Sequence, residues 1–168
     1  MGLLALGAAG LLGARAANAG EAPPACSTDA SYAQQDFTLG EWDVFNKGKK
    51  SAEVKMEKVL NGCAIRETWK SMGATGHGMG LFTYSRALKQ WKYYWVADTA
   101  ATTDFNGDMK AANDFLYVTE VPLAQGGKRV RHWTLTMQPD GTIRELSVGS
   151  NDGQNWNTEY ELVWHRKH

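Results

Sequence analysis

The chain has 168 residues, with 18 Lys and Arg against 18 Asp and Glu, and 43% of its residues are hydrophobic. This balanced charge leaves no basic excess to hold a nucleic acid or an anionic membrane surface, so neither is an expected partner. The length predicts a single globular domain.

The amino-terminal residues resemble a secretory signal. Residues 3–14 consist almost wholly of Leu, Ala and Gly, a run too short to span a bilayer but typical of the apolar segment of a signal peptide. Residues 17–19, Ala-Asn-Ala, form the small-residue pattern that signal peptidase cleaves, which predicts a mature chain beginning at Gly20. We therefore interpret residues 1–19 as a signal peptide and expect a periplasmic or secreted protein, with no membrane insertion once the leader is removed. The alternative is a buried N-terminal helix, which the glycines of this segment disfavour.

Two cysteines remain in the predicted mature chain, Cys26 and Cys63. In an oxidising compartment we expect them to form a disulfide, worth roughly 3–4 kcal/mol in the chain-entropy treatment. Two cysteines without a CxxC spacing do not indicate a metal site. Residues 20–36 are polar and contain two adjacent prolines, which predicts an irregular arm that the disulfide holds against a strand.

Residues 37–168 are predicted to form one all-β domain. Short runs rich in β-branched and aromatic residues alternate with Asn-Gly, Gly-Gly and Asp-Gly signals, which are typical of tight hairpins. These turns are expected at residues 61–62, 106–107, 126–127, 139–141 and 151–153. The runs between them predict strands at residues 40–46, 52–59, 63–72, 79–84, 91–98, 115–121, 129–137, 142–150 and 156–166, with a short piece near 102–105.

Several runs alternate between apolar and polar residues, as in residues 53–57, Glu-Val-Lys-Met-Glu. Such strands have one wet face and one apolar face. With no long helix to cover the apolar face, the sheet has to close on itself. We therefore predict an up-and-down antiparallel barrel of about nine to ten strands, with a two-sheet sandwich as the alternative. A barrel of this strand number has room for one small ligand.

Residues 37–44, Phe-Thr-Leu-Gly-Glu-Trp-Asp-Val, resemble the opening Phe-x-x-Gly-x-Trp motif of lipocalin-like barrels. Further likeness lies in residues 60–69, in residues 84–91 and in two Asp-Gly segments at 140–144 and 152–156. Together these segments resemble an exported bacterial family of small lipocalin-like proteins of unknown function. The resemblance implies a lipocalin-like barrel, with its base closed by the Gly and Trp of the motif, and an export route. It implies no reaction.

Glu67 is the carboxylate whose position suggests chemistry. Ile65, Glu67 and Trp69 are two residues apart in the predicted strand, so their side chains point to the same face. If Ile65 and Trp69 are buried, Glu67 is buried with them. A buried carboxylate must accept a hydrogen bond or have a raised pKa. Arg131 lies two residues before Trp133 in another predicted strand, so its side chain would point into the barrel if that of Trp133 does. Three roles follow for Glu67: a structural ion pair with Arg131, recognition of a ligand, or general acid–base catalysis.

Aromatic residues would supply the apolar part of a binding site. Trp69, Trp95 and Trp133 lie in three different predicted strands, and Tyr93 shares the parity of Trp95. Facing inward, they would line a pocket for a planar or apolar ligand, although they could instead fill a solid core. The predicted ligand-binding residues are Glu67, Trp69, Tyr93, Trp95, Arg131 and Trp133. Three other tryptophans are expected in the core: Trp42, Trp156 and Trp164.

The sequence has no pattern typical of a metal or cofactor site. No two of the four histidines are spaced at i, i+2 or i, i+4, as a zinc or non-haem iron site would favour. A single axial ligand for haem would have to be His77 or His132, which is an alternative to the expectation of no cofactor. Phosphate-loop, dinucleotide and nucleophile-elbow motifs are also missing.

The sequence therefore predicts an exported barrel that binds a small apolar or aromatic molecule. The alternative is a cofactor-independent lyase or isomerase acting on a small organic substrate inside the barrel. Glu67 would then be the general acid or base, and Arg131 or Tyr93 the electrostatic stabiliser. A filled barrel with a purely structural role is a third hypothesis. A cavity of several hundred Å³ that contains Glu67 would favour the first two hypotheses. Neither the oligomeric state nor the identity of the ligand follows from the sequence.

Overall fold

A computed structural model, which describes residues 25–167, places ten antiparallel strands in one closed barrel. The strands are β1 Gly40–Asn46, β2 Lys49–Val59, β3 Ala64–Ser71, β4 Gly78–Ser85, β5 Gln90–Ala97, β6 Thr102–Ala111, β7 Asp114–Pro122, β8 Lys128–Met137, β9 Ile143–Ser150 and β10 Asn157–Arg166. Each strand pairs with its neighbours in sequence, and β1 pairs with β10. The predicted up-and-down barrel is confirmed, and the sandwich is excluded. The predicted signal peptide, residues 1–19, lies outside the described residues.

The alternation seen in the sequence decides which side chains face the interior. In β2, Ala52, Val54 and Met56 are almost fully buried, whereas Lys55 between them is exposed. Successive side chains of a strand point to opposite faces of the sheet, so one parity of each strand enters the barrel. The result is a core rich in aromatic rings that runs along the barrel axis.

The segment before β1 closes one end of the barrel, which we call the base. Three short 3₁₀ turns form it, at Cys26–Thr28, Ala30–Ala33 and Asp36–Thr38. The indole Nε1 of Trp42 donates to the carbonyl oxygen of Thr38 at 2.7 Å, and the indole Nε1 of Trp91 donates to Oε1 of Gln34 at 2.9 Å. These bonds satisfy buried indole donors while fixing the segment across the base.

The predicted disulfide between Cys26 and Cys63 is present. It joins the first 3₁₀ turn to the residue immediately before β3, across a sequence separation of 37 residues. A second contact at the base involves Arg166, whose Nη1 donates to the carbonyl oxygen of Leu39 at 2.8 Å and whose guanidinium lies 4.2 Å from the centre of the Trp42 ring. The N-terminal segment is therefore linked covalently to the residue that precedes β3 and by polar contacts to β10.

One predicted turn is wrong. Residues 106–107 lie inside β6, and the chain instead reverses after Ala111, where Asn113 adopts a φ of 60°. Gly107 serves packing, because a Cβ there would lie only 2.2 Å from the ring of Tyr117. The glycine lets the Tyr117 ring lie against the β6 backbone. The expected reversals at 61–62, 126–127, 139–141 and 151–153 all lie between strands.

No helix in the described part of the chain has the length and hydrophobicity needed to cross a membrane.

Candidate functional site

The end of the barrel opposite the base opens into an internal cavity of about 510 Å³. Its rim includes Asn46 at the end of β1, Ser71 at the end of β3 and Ala101 just before β6. A larger groove of about 1440 Å³ lies on the outside of β1 and β10 and contains none of the predicted site residues. We take the internal cavity as the candidate site because its depth and its aromatic lining are typical of ligand pockets.

All six residues predicted to bind a ligand line this one cavity. They come from β3, β5 and β8, and the closure of the barrel brings these strands to face one interior space. The residues are Glu67, Trp69, Tyr93, Trp95, Arg131 and Trp133. The cavity lining also includes residues outside that prediction, among them Phe105, Glu145, Tyr160 and Leu162.

Glu67 is buried in the cavity wall, with 2% of its surface exposed. The hydroxyl of Tyr93 donates to its Oε2 at 2.6 Å. Burial, with a smaller contribution from the nearby Glu145, raises the pKa of the Glu67 carboxyl, and the hydrogen bond from Tyr93 opposes the shift, which leaves the pKa at about 8. Glu67 is therefore mostly a neutral carboxylic acid at pH 7, able to donate a hydrogen bond or give up a proton within the cavity.

Gly80 in β4 makes room for this pair. A Cβ at Gly80 would lie 2.3 Å from Cε2 of Tyr93 and 2.7 Å from Oε2 of Glu67. Gly80 is also the register partner of Glu67 on one side and of Trp95 on the other. The missing side chain in β4 is therefore what lets the Glu67–Tyr93 hydrogen bond lie against the barrel wall.

Glu145 in β9 is a second buried carboxylate, and it was not predicted. The indole Nε1 of Trp133 donates to its Oε1 at 2.9 Å and that of Trp164 to its Oε2 at 2.8 Å. Burial raises the pKa of the Glu145 carboxyl, while hydrogen bonds from Trp133, Trp164 and Tyr160 oppose the shift. A sequence signal existed, because Glu145 shares the parity of the buried Ile143 in the same strand.

The ion pair between Glu67 and Arg131, one of the three roles proposed for Glu67 from the sequence, does not form. Arg131 instead donates from Nε to Oε2 of Glu159 at 2.6 Å, and Arg129 donates from Nε to Oε1 of the same carboxylate at 2.8 Å. A bulge in β10 between Thr158 and Tyr160 shifts the register there. Sequence parity cannot anticipate this pairing, because a bulge changes which face a residue occupies.

The aromatic side chains form a stacked wall. The ring of Phe82 lies 4.0 Å from that of Tyr93, and Tyr93 lies 4.9 Å from Trp133, measured between ring centres. Nearer the open end, Trp69 and Trp95 meet edge to face at 6.4 Å and remain partly exposed. The deeper rings are thus packed against one another, whereas the indoles of Trp69 and Trp95 have exposed surface that a ligand can contact.

The two candidate haem ligands lie away from the cavity, since neither His77 nor His132 is among its lining residues. His132 stacks on Trp156, with 4.2 Å between the ring centres, on the opposite face of β8 from Trp133. The expectation that Trp156 belongs to the core is wrong, because the residue is 38% exposed. Within residues 25–167 no group of three His, Cys, Asp or Glu side chains is arranged to hold a metal ion.

No family model matches the sequence, and no curated protein is similar enough to count as a relative.

Proposed function

We propose that this barrel binds a small aromatic or apolar molecule in its internal cavity. The observation that carries the proposal is the combination of a cavity of about 510 Å³ with an aromatic wall and two buried carboxylates converging on it. Ligand sites usually combine an apolar lining with a few fixed polar groups in this way. Trp69 and Trp95 would provide the apolar contact area, and Glu67 with Tyr93 the polar contact.

The proposal includes export to the periplasm or the medium. The Cys26–Cys63 disulfide supports it, because such bonds persist in oxidising compartments and are rare in the reducing cytoplasm. The predicted signal peptide at residues 1–19 is the route by which the chain would reach that compartment.

Binding can be tested with the neutral fluorescent probe N-phenyl-1-naphthylamine, whose emission rises in apolar surroundings. We expect saturable binding by the full-length protein and an affinity at least tenfold lower in Trp95→Ala, which removes cavity-facing apolar surface. The matched control is Tyr94→Ala in the same strand, because Tyr94 points outward and is 52% exposed. Equal loss in both variants, or no saturable binding by the unaltered protein, would contradict the proposal.

A cofactor-independent lyase or isomerase is the second candidate, and the Glu67–Tyr93 pair favours it. A carboxyl with a pKa of about 8 is present in both protonation states near neutral pH, as a general acid or base requires. The adjacent Tyr93 hydroxyl could stabilise negative charge developing on a substrate oxygen. Turnover that disappears in Glu67→Gln while ligand binding persists would distinguish catalysis from binding alone.

A further inference from the structure

The inner part of the cavity holds two buried carboxylates, Glu67 and Glu145. Glu67 and Glu145 are 2% and 4% exposed, and within residues 25–167 neither is in contact with a Lys, Arg or His side chain. The partner of Glu67 is the Tyr93 hydroxyl, and those of Glu145 are the Tyr160 hydroxyl and the indole N–H groups of Trp133 and Trp164. An uncompensated buried carboxylate is unfavourable, so this region favours either a bound proton or an external positive charge.

Aromatic rings line the same cavity. Trp69, Trp95, Phe105 and Trp133 all line the cavity together with Tyr93. Aromatic faces attract organic cations through the ring quadrupole, and the attraction is strongest where water is excluded. A cavity that combines several such faces with two carboxylates therefore has the composition of a site for an ammonium group.

The positive charge of Arg131 is already engaged at the cavity rim. Its Nε donates to Glu159, which also accepts from Arg129 and from the hydroxyl of Ser147 at 2.8 Å. The three charged groups form their own cluster, with Glu159 only partly buried. The two guanidiniums and one carboxylate of this cluster have a net charge of +1, but Arg131 contacts neither Glu67 nor Glu145 deeper in the cavity.

We propose that the ligand of this cavity is an organic cation, an alkyl or arylalkyl amine whose ammonium group is held by Glu67 and Glu145 within the aromatic wall. This inference rests on the proposed binding function and specifies its ligand class. The positive charge of the ammonium would compensate the negative charge of the Glu67 and Glu145 carboxylates. The apolar part of the amine would lie against Trp69 and Trp95 toward the open end of the barrel.

The proposal predicts that amine binding is coupled to loss of a proton from Glu67. Because the pKa of this carboxyl is raised to about 8, the free protein carries the proton at pH 6 to 7, and a bound ammonium would displace it. Affinity for an amine should therefore rise by about tenfold per pH unit between pH 6 and pH 7.5. The titratable or charged groups facing Glu67 from the surrounding strands are Tyr93 in β5, Tyr117 in β7, Arg131 in β8, Glu145 in β9 and Tyr160 in β10.

Three probes of similar shape and different charge provide the test: tryptamine, tryptophol and indole-3-acetate. We expect tryptamine to bind the full-length protein at pH 8 at least tenfold more tightly than neutral tryptophol, with indole-3-acetate weakest. Calorimetry at pH 7 in two buffers of different ionisation enthalpy should show release of up to one proton per tryptamine bound. This readout uses the unaltered protein, so it does not depend on a variant that folds.

The decisive variant is Glu67→Gln, which keeps an oxygen to accept the Tyr93 hydrogen bond but removes the charge. It should lose most of the preference for tryptamine over tryptophol, with less proton release and a smaller rise in affinity between pH 6 and pH 7.5, because Glu145 alone of the pair remains to hold the ammonium. The control is Glu120→Gln, an exposed carboxylate paired with Lys128 at the end of the hairpin between β7 and β8, which should behave like the unaltered protein.

The remaining outcomes would overturn either the cation assignment or the binding function itself. Equal affinities for the three probes, or tightest binding of indole-3-acetate to the Arg131 end, would overturn the cation assignment while leaving ligand binding intact. The same holds if N-phenyl-1-naphthylamine binds and none of the indole probes does. Failure of N-phenyl-1-naphthylamine and of all three indole probes to bind would overturn the proposed function itself.

Discussion

Among single residues, Glu67 belongs to the proposed site and also makes the free energy of unfolding depend on pH. Its pKa is raised from an ordinary value of 4.5 to about 8 in the native protein, so the native state keeps a proton that the unfolded chain has already lost. Folding is therefore favoured by this group at low pH, and that contribution is lost as pH rises from about 4.5 to about 8. The slope from one such group is at most about 1.4 kcal/mol per pH unit.

Replacing Glu67 by Gln should therefore flatten the pH dependence of stability. At pH 5 we expect the free energies of unfolding of Glu67→Gln and the unaltered protein to be similar, whereas at pH 8.5 the variant should be more stable by on the order of 3 kcal/mol. Urea denaturation at a series of pH values measures this difference. A variant that is less stable at every pH would show that the native carboxyl makes a favourable contact beyond the Tyr93 hydrogen bond.

Residue parity was sufficient to predict that Glu67 and Arg131 line the interior, but not what they contact. Alternation along a strand states which face a side chain occupies. The partner of Glu67 is Tyr93, two strands away in the barrel, and that of Arg131 is Glu159, which lies next to a bulge. Such pairings depend on register and on bulges, which one sequence does not reveal.

At the level of strands, β4 shows how a small residue shapes the cavity wall. The inward-facing residues of β4 are Gly78, Gly80 and Phe82. The ring of Trp95 lies over Gly78, and the ring of Tyr93 lies over Gly80. The sequence predicts a strand at residues 79–84 but not the reason for Gly80 within it, because a close approach by a neighbouring strand is a tertiary property.

We expect Gly80→Ala to lower the free energy of unfolding by about 1–3 kcal/mol, because the new methyl group would displace Tyr93 and Glu67. The matched control is Gly73→Ala in the exposed loop between β3 and β4, whose new Cβ would lie no closer than 3.4 Å to its neighbours. That change should stay within about 0.5 kcal/mol. Equal stability of the two variants in chemical denaturation would contradict the role assigned to Gly80.

For the whole molecule, the closed barrel has one sealed end and one open end. The N-terminal segment seals the base through the disulfide and through its bonds to Trp42 and Trp91. The cavity lies at the other end, among the hairpin connections. We therefore expect the contacts of the N-terminal segment at the base to stabilise the barrel, and the residues at the open end to determine binding.

Removing the disulfide in a Cys26→Ser, Cys63→Ser double variant should lower the free energy of unfolding by about 3–4 kcal/mol, since it releases a closed loop of this length in the unfolded chain. Binding of N-phenyl-1-naphthylamine at 25 °C should be retained where the variant is folded, because the base is distant from the cavity rim. Denaturation and probe titration on the same samples measure both effects. A folded variant that no longer binds the probe would show that the base and the open end are coupled.

The sequence by itself determined the barrel, the disulfide and the inward parity of the six cavity residues, because these follow from period-two alternation, turn chemistry and a count of two cysteines. Tertiary structure alone decided that a cavity is present rather than a solid core. It also decided that Glu145 stands beside Glu67, and that among residues 25–167 no Lys, Arg or His side chain contacts either carboxylate. The physical reason is that cavity volume, the bulge in β10 and the environment of a buried charge arise from strands far apart in sequence, whose register and closure are fixed only when the whole sheet has formed.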